Sequence, residues 1–381
     1  MDDSDIPDVS VILPALDEEA TIGECIRKIQ NVFAKNAIHG EIIVADSSHD
    51  RTGEIAKGLG ARIIIPNERG YGNAYLSAFG AARGRFIVIG DADNTYDFDD
   101  IPKLLGPLRN GADFVIGSRF KGRMQAGSMT TLHRYNGNPL LTWMINVIFG
   151  THFTDAHSGF RAFTRDALDR LMLKSGGMEF ASEMLIDASR VNLQIDEVPV
   201  DYYPRITPSK LHSFADGWRH IRFVLLMKPL PFVAIPGLLF SLVGALLMVF
   251  FFLQGNLESS HLHAFIMGAI LVIGGIQVIF TGFLMKTYSV VHGYEARQGI
   301  IELLMKYSNL EKFLTIGISL VFAGILIGLN ILLRWFSMNF GFLSEISSAV
   351  IALVLIVSGL QVFLFAVFQS MMLLNENNHS P

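Results

Sequence analysis

The chain has 381 residues, 51% of them hydrophobic, with 30 basic and 35 acidic side chains, a net charge of −5 and a single cysteine. That charge, uninterrupted by any basic tract, disfavours a nucleic-acid partner. Cys25 alone excludes an internal disulfide and a cysteine metal cluster, and the length allows more than one domain.

Val9–Leu13 reads as a first strand ending at Pro14-Ala15-Leu16-Asp17-Glu18-Glu19. This apolar run is too short for a secretory signal and lacks a basic region before it, so no leader is expected. Helical periodicity follows through Ile22, Ile26, Ile29 and Phe33, and Cys25 falls on its inner face. A dinucleotide-binding fold would place a Gly-rich turn after the first strand. Here a proline and acids stand instead, which argues against nicotinamide or flavin chemistry. A second strand, Glu41–Ala45, ends at Asp46 and leads to a helix over 53–59; a third strand spans Ala61–Ile65. Arg69-Gly70-Tyr71-Gly72-Asn73 then opens a helix that runs through Ala82.

Phe86-Ile87-Val88-Ile89 reads as a buried strand, followed by Gly90-Asp91-Ala92-Asp93-Asn94. Side chains alternate along a strand, so Asp91 and Asp93 arrive at one rim of the sheet. Two such carboxylates suit a hard divalent cation that keeps coordination sites for phosphate oxygens. Taken alone, the pair is also an ordinary polar turn. Open α/β sheets bind ligands outside the carboxyl ends of their strands, which is where this pair falls.

A fifth strand, Asp113–Ile116, leads into Gly117-Ser118-Arg119-Phe120. The alternation of strands and helices implies parallel pairing with right-handed crossovers. Residues 124–138 read as a loop carrying His133 and Arg134, and Pro139–Phe149 as an apolar helix. Asp155–Phe163 reads as a loop entering a strand, with Arg161 expected to pair with Asp155. His133 and His157 read as ordinary polar residues whose spacing supports no zinc site. Helix 180–191 and strand Ile195–Val200 precede Tyr202-Tyr203-Pro204-Arg205 and Lys210. Phe214–Met227 is amphipathic and suits a membrane interface.

Four uncharged apolar runs follow, at about 232–253, 264–285, 313–333 and 349–368, each long enough to cross a bilayer as helix. Lys and Arg gather before the first run and in the second connection, so residues 1–230, loop 286–312 and both termini are expected in the cytoplasm. The expected organisation is a catalytic domain over 1–212, a juxtamembrane helix over 213–230 and a membrane domain over 231–374. Gly275-Ile276-Gln277-Val278 recurs as Gly359-Leu360-Gln361-Val362, which suggests two similar hairpins. Both glutamines are expected to face protein, with interhelical hydrogen bonding as their ordinary role.

Pro14…Glu18, Asp46, Asp91-Ala92-Asp93, Gly117-Ser118-Arg119, Ser158-Gly159-Phe160-Arg161 and Arg205…Lys210 occur in an order that resembles family 2 glycosyltransferases of the GT-A fold. Within them the chain is similar to the dolichyl-phosphate mannose synthase and polyprenyl-phosphate glucose synthase branch, across residues 9–230. The resemblance implies an α/β, mostly parallel, Rossmann-like cytoplasmic domain followed by interfacial helices and four transmembrane helices. It implies transfer of a hexose from a nucleoside-diphosphate sugar, GDP-mannose or UDP-glucose, to a polyisoprenyl phosphate, with inversion. By the same resemblance Asp91 and Asp93 hold Mg²⁺ or Mn²⁺ on the diphosphate, and Ala92 lies in the donor site with them. Pro14, Leu16 and Glu18 line the nucleoside pocket and Asp46 contacts the base. Arg205 and Lys210 approach the diphosphate, and Arg119 and Arg134 hold the lipid phosphate. The chain departs from the family pattern at Asp17, where Asn is usual, and at Thr95, where mannose synthases often carry Gln. The Arg205-to-Lys210 interval is also one residue shorter.

Other readings compete. A processive polysaccharide synthase would carry Gln-x-x-Arg-Trp on an interfacial helix, whereas this chain has Gly217-Trp218-Arg219. A lipid-sugar flippase or non-catalytic scaffold would leave Asp91, Asp93 and the arginines without work. A homo-oligomer is compatible with all of these.

Overall fold

In a computed structural model of the chain, residues 6–206, 213–254, 261–292, 307–341, 343 and 345–374 are described. The chain divides into two units, Met1–Val224 and Leu225–Pro381.

The first unit is built on a seven-stranded sheet of order β3-β2-β1-β4-β6-β5-β7. Its strands are β1 (Val9–Ala15), β2 (Gly40–Asp46), β3 (Arg62–Ile64), β4 (Phe86–Ile89), β5 (Phe114–Ser118), β6 (Arg161–Thr164) and β7 (Ile195–Pro199). The helices between them are α1 (Ile22–Lys35), α2 (Thr52–Gly58), α3 (Tyr71–Phe79), α4 (Ile101–Arg109), α5 (Asn138–Phe149), α6 (Arg165–Arg170) and α7 (Phe180–Arg190). Val9, Val11 and Leu13 of β1 and Ile22, Ile26 and Ile29 of α1 are sealed in one apolar core. Cys25 lies in that core as expected, and burial pushes its thiol up to about 12.

Pairing is parallel except at β6, which runs antiparallel between β4 and β5. The sheet is thus mostly parallel, as expected, with β6 as its one antiparallel strand. The physical reason lies in the connection: α5 returns the chain to the carboxyl rim, so the next strand starts there rather than at the opposite edge. Arg161 opens β6 opposite Ile89, which closes β4. The loop Asp155–Phe160 is thereby delivered to the rim that carries Asp91 and Asp93. Residues 131–137, expected as loop, are instead helical, with a π-turn over His133–Gly137 leading directly into α5. Pro139 offers no N–H to the turn before it, and the helix passes that point as the π-turn His133–Gly137 rather than as regular α-helix.

Helix α8 spans Ser213–Met227 across the boundary between the units. The second unit holds α9 (Ile235–Gln254), α10 (Leu262–Val291), α11 (Tyr307–Ser337) and α12 (Ile346–Leu374), with a π-turn over Leu230–Ala234 ahead of α9. These supply four helices long and apolar enough to cross a membrane. The last three outrun their expected apolar cores by several residues at one or both ends, because helical hydrogen bonding continues past the apolar run, whereas α9 starts three residues inside its run and ends one residue beyond it. The internal repeat is two glycine-seamed hairpins. A Cβ on Gly275 would meet Gly237 O at 2.6 Å, and one on Gly359 would meet Gly317 O at 2.7 Å. Such close approach of backbones is how helices pack where lipid supplies no hydrophobic drive. Between hairpins, Thr287 Oγ1 donates to Gln369 Oε1 at 2.9 Å, and Phe280 stacks on Phe365.

The two repeat glutamines differ. Gln361 Nε2 donates to Ile273 O at 3.3 Å, as expected of an interhelical bond. Gln277 is exposed on α10. The described residues of this chain leave Gln277 uncovered, because the second hairpin packs beside the face that carries Phe280.

Candidate active site at the carboxyl rim of the sheet

Strand β4 ends at Ile89, and the next residues turn Asp91 and Asp93 to the same rim. Asn94 closes the turn with φ 61°, a left-handed conformation that Asn tolerates. Asp93 is 5% exposed. Its Oδ1 accepts from the backbone N–H of Thr95 at 3.1 Å and from Thr95 Oγ1 at 2.6 Å. Its Oδ2 faces the Arg205 guanidinium at 2.8 Å. Asp91 Oδ1 accepts from the Tyr71 hydroxyl at 3.1 Å. Burial, and then the neighbouring charge of Asp93, push the Asp91 carboxyl up to about 7. A Cβ on Gly159 would lie 2.9 Å from Asp91 Oδ2. The β6 entry loop therefore closes on that oxygen with bare backbone.

The donor set suits a hard divalent ion shared with a ligand. Two carboxylates stand together, repulsion between them is only partly relieved by Arg205, and among the described residues no group of three His, Cys, Asp or Glu side chains is arranged to hold an ion by itself. Mg²⁺ and Mn²⁺ are commonly held in this way, by one or two carboxylates with phosphate oxygens and water completing the shell.

On one side of this pair lie the residues at the ends of β1 and β2. Glu18, 4% exposed, comes within 3.8 Å of the Arg205 guanidinium and accepts from Thr21 Oγ1. Glu18, Asp91, Asp93 and Arg205 thus form one cluster. Pro14 ends half-buried on β1 and Leu16 is 40% exposed beyond it. Asp17 adopts φ 49° and holds the backbone N–H of His49 at 2.8 Å, tying this loop to the one after β2. Asp46 closes β2 and accepts from the N–H of Ser48. Ala92 is buried, and its carbonyl accepts from Thr21 Oγ1 at 2.8 Å. Lys210 lies outside the described residues.

On the other side, β5 delivers Arg119. Its guanidinium and backbone N–H grip Asp155 through three bonds of 2.7, 2.8 and 3.0 Å, and it lies over the Tyr202 ring. Burial works against its charge, but Asp155 outweighs that and holds Arg119 well above its ordinary range. Arg119 follows Ser118 at the end of β5 and so stands at the carboxyl rim, and its charge and that of Arg205 both act on Asp91. The expected Arg161–Asp155 pair is not formed, because Arg119 takes Asp155. Arg161 is wholly buried and donates instead to the carbonyls of Ser158, Ala181 and Ala156. It holds the loop in shape, so its structural role stands with different partners.

Arg134 lies in the π-turn ahead of α5, with its guanidinium over the Tyr135 ring. The same helical segment exposes Leu132, Tyr135, Leu140, Trp143 and Val147. Leu132 and Tyr135, three residues apart, and Leu140, Trp143 and Val147, three and four apart, each share a face. His157 faces Ser182 Oγ and the His220 ring, and burial followed by His220 holds it well below the usual histidine range.

Reading the sequence missed four contributors. Tyr71 lay in a Gly-rich segment taken as a helix start, and Thr95 was noted only as a departure. Gly159 stands in the Ser158-Gly159-Phe160-Arg161 run, but its purpose depends on the antiparallel β6. Asp155 was assigned the wrong partner for the same reason.

Residues 10–172 match the model for glycosyl transferase family 2, and residues 283–373 match that of the glycosyltransferase family 2 C-terminal transmembrane region. The low-salt glycan biosynthesis hexosyltransferase Agl6 of Haloferax volcanii is 41% identical over 364 residues, covering 94% of this chain and 88% of its own. A dolichyl-phosphate hexose transferase of the same organism is 34% identical over 212 residues, covering 55% of this chain and 89% of its own. Among solved structures, glucosyl-3-phosphoglycerate synthase of Mycobacterium tuberculosis with Mn²⁺, UDP and glucosyl-3-phosphoglycerate aligns at 27% identity and a TM-score of 0.48, over 57% of this chain and 79% of that one.

Proposed function

The chain belongs to glycosyl transferase family 2, and on that premise we propose that it transfers a hexose from a nucleoside-diphosphate sugar to a polyisoprenyl phosphate. The observation that carries this reading is the convergence of Asp91, Asp93, Arg205 and Arg119 on one rim. The exposed apolar residues beside Arg134 support a lipid acceptor, as does the printed name of the dolichyl-phosphate relative. GDP-mannose and UDP-glucose are the candidate donors.

The acceptor phosphate is already an anion, so no general base is required. One of its oxygens attacks the anomeric carbon as the bond from that carbon to the diphosphate breaks, with inversion. The electron pair leaves on the nucleoside diphosphate. Asp91 and Asp93 are the residues that would hold Mg²⁺ or Mn²⁺, which when bound supplies positive charge to the departing diphosphate. Tyr71 and Thr95 each fix one oxygen of these carboxylates and so restrict their rotation. Arg205 sits on Asp93 and is placed to share the diphosphate charge. Glu18 holds the other side of that guanidinium, while Pro14, Leu16 and Asp46 border the nucleoside end, with Lys210 assigned to the diphosphate from the sequence pattern. Arg119 and Arg134 take the acceptor phosphate, for which a planar guanidinium fork is suited. Arg119 is preorganised for this by Asp155, which fixes its Nε and one terminal nitrogen.

The Lys and Arg distribution supports a cytoplasmic catalytic unit, where nucleotide sugars are made. The test is to offer membranes containing the protein a panel of nucleotide sugars with dolichyl and polyprenyl phosphates, and to identify the lipid product by mass. A hexosyl-phosphoryl lipid is expected. Sugar polymer, or donor hydrolysis with no lipid product under any combination, would overturn the reading.

A further inference from the structure

Helix α10 shows only a narrow face to its surroundings. Met267, Ile270, Gly274, Gln277, Thr281 and Tyr288 are exposed along it. Their intervals of three, four and seven form one heptad seam, the pattern by which a helix meets a partner helix. The exposed strip of α12 follows the same geometry but is apolar throughout, as at Leu353, Leu360, Leu364 and Phe368. The two strips therefore differ in chemistry rather than in shape.

Gln277 lies about 22 Å from either end of α10 at 1.5 Å per residue, which is the middle of a bilayer-spanning helix. Its counterpart in the repeat, Gln361, is bonded across helices to Ile273 O. The carboxamide of Gln277 has no hydrogen-bond partner among the described residues. One turn on, Thr281 Oγ1 is held by Gln277 O at 2.8 Å, and one turn back a Cβ on Gly274 would meet nothing within 4 Å. A polar group at this depth has no water to bond, so whatever covers it must bring a donor and an acceptor.

We propose that α10 is the surface through which two copies of this chain associate within the bilayer, with their Gln277 side chains paired at mid-span. A carboxamide carries donors and an acceptor together, so two of them related by a twofold axis satisfy each other. Isologous contact places identical residues at identical depth without further requirement. Gly274 lets the two backbones approach closely at that level. Acyl or isoprenyl tails bring no polar group and leave Gln277 unsatisfied. The inference rests on the membrane-spanning character of α10 and is independent of the sugar-transfer reading.

The test uses the full chain in its own membranes. Cys25 is buried and gives no background, so Gly274→Cys and Leu360→Cys each carry one reactive thiol, at comparable depth on α10 and α12. An oxidant that enters the bilayer should convert Gly274→Cys to a disulfide-linked species of twice the chain mass, and leave Leu360→Cys monomeric. In a second measurement, energy transfer between labelled full-length chains is followed as liposome lipid is diluted. Gln277→Leu should weaken association about three- to thirtyfold, the range set by one interhelical hydrogen bond, and Gln277→Asn should restore part of it. Equal cross-linking at both positions, none at Gly274→Cys, an adduct of other mass, or unchanged association of Gln277→Leu would each overturn the proposal.

Discussion

The Tyr71 hydroxyl donates to Asp91 Oδ1 at 3.1 Å, from the first residue of α3 to the rim of β4. Tyr71 is held in turn by edge contacts with the Tyr75 and Phe180 rings. An outer residue that fixes a carboxylate usually contributes ten- to a hundredfold in metal affinity. Tyr71→Phe keeps the ring packing and removes only the hydroxyl. Mn²⁺ binding, followed by electron paramagnetic resonance without substrate, should weaken by about tenfold while the melting temperature stays within a few degrees. Unchanged Mn²⁺ affinity would show that Asp91 needs no such support.

Asp93→Ala should abolish transfer, and so should a chelator acting on the native chain. Asp93 lies at the end of a strand rather than within the apolar core, so the secondary structure should survive by circular dichroism. Wild-type transfer by the variant, or by the native enzyme in excess chelator, would remove the metal from the proposed mechanism.

The arginines should separate by what they hold. Arg134→Ala removes a guanidinium that is not buried in an ion pair, and should cost about ten- to a hundredfold in acceptor efficiency with donor affinity unchanged. Arg205→Ala should instead lower donor affinity. Arg119→Ala leaves Asp155 buried and unpaired, so it should also lose stability by about 3–5 kcal/mol, visible as a lower denaturant midpoint. Equal donor losses in Arg134→Ala and Arg205→Ala would place both at the same end of the reaction.

His157 gives the folded chain a pH dependence whose sign follows from its surroundings. Ser182, the His220 ring and the charges of Arg119 and Arg161 face it, and it is held well below its ordinary value of 6.5. Above that value both the folded and unfolded chains carry it neutral. As pH falls through it, the unfolded chain gains a proton that the folded chain refuses, so stability declines by up to about 1.4 kcal/mol per pH unit. Denaturant midpoints of the native chain and of His157→Gln should diverge in slope between about pH 6.5 and 5.5, with the variant flatter. Parallel slopes would mean that His157 protonates freely in the folded state.

Orientation in the membrane can be read with single added cysteines. Leu257→Cys and Gly341→Cys should react with an impermeant reagent only from the non-cytoplasmic side, and Gln298→Cys only from the cytoplasm. The reverse pattern would mean that the Lys and Arg bias does not orient this chain.

The sequence by itself determined whatever depends on local periodicity and composition. Apolar runs of bilayer length fixed the four spanning helices, and alternating strands and helices fixed the mostly parallel sheet. The apolar run of β4 followed at once by Asp91-Ala92-Asp93 marked the rim on which the candidate site stands, because the carboxyl end of a strand is legible without its partners. Tertiary structure alone decided what depends on which strand lies beside which. The antiparallel insertion of β6 between β4 and β5 brings Gly159 against Asp91 and hands Asp155 to Arg119 rather than Arg161. Two glutamines alike in local sequence part company in the same way, one bonded across helices and the other left on an open seam. Nothing within a few residues of either glutamine differs enough to foretell this, because burial in a bundle is set by the packing of a distant hairpin.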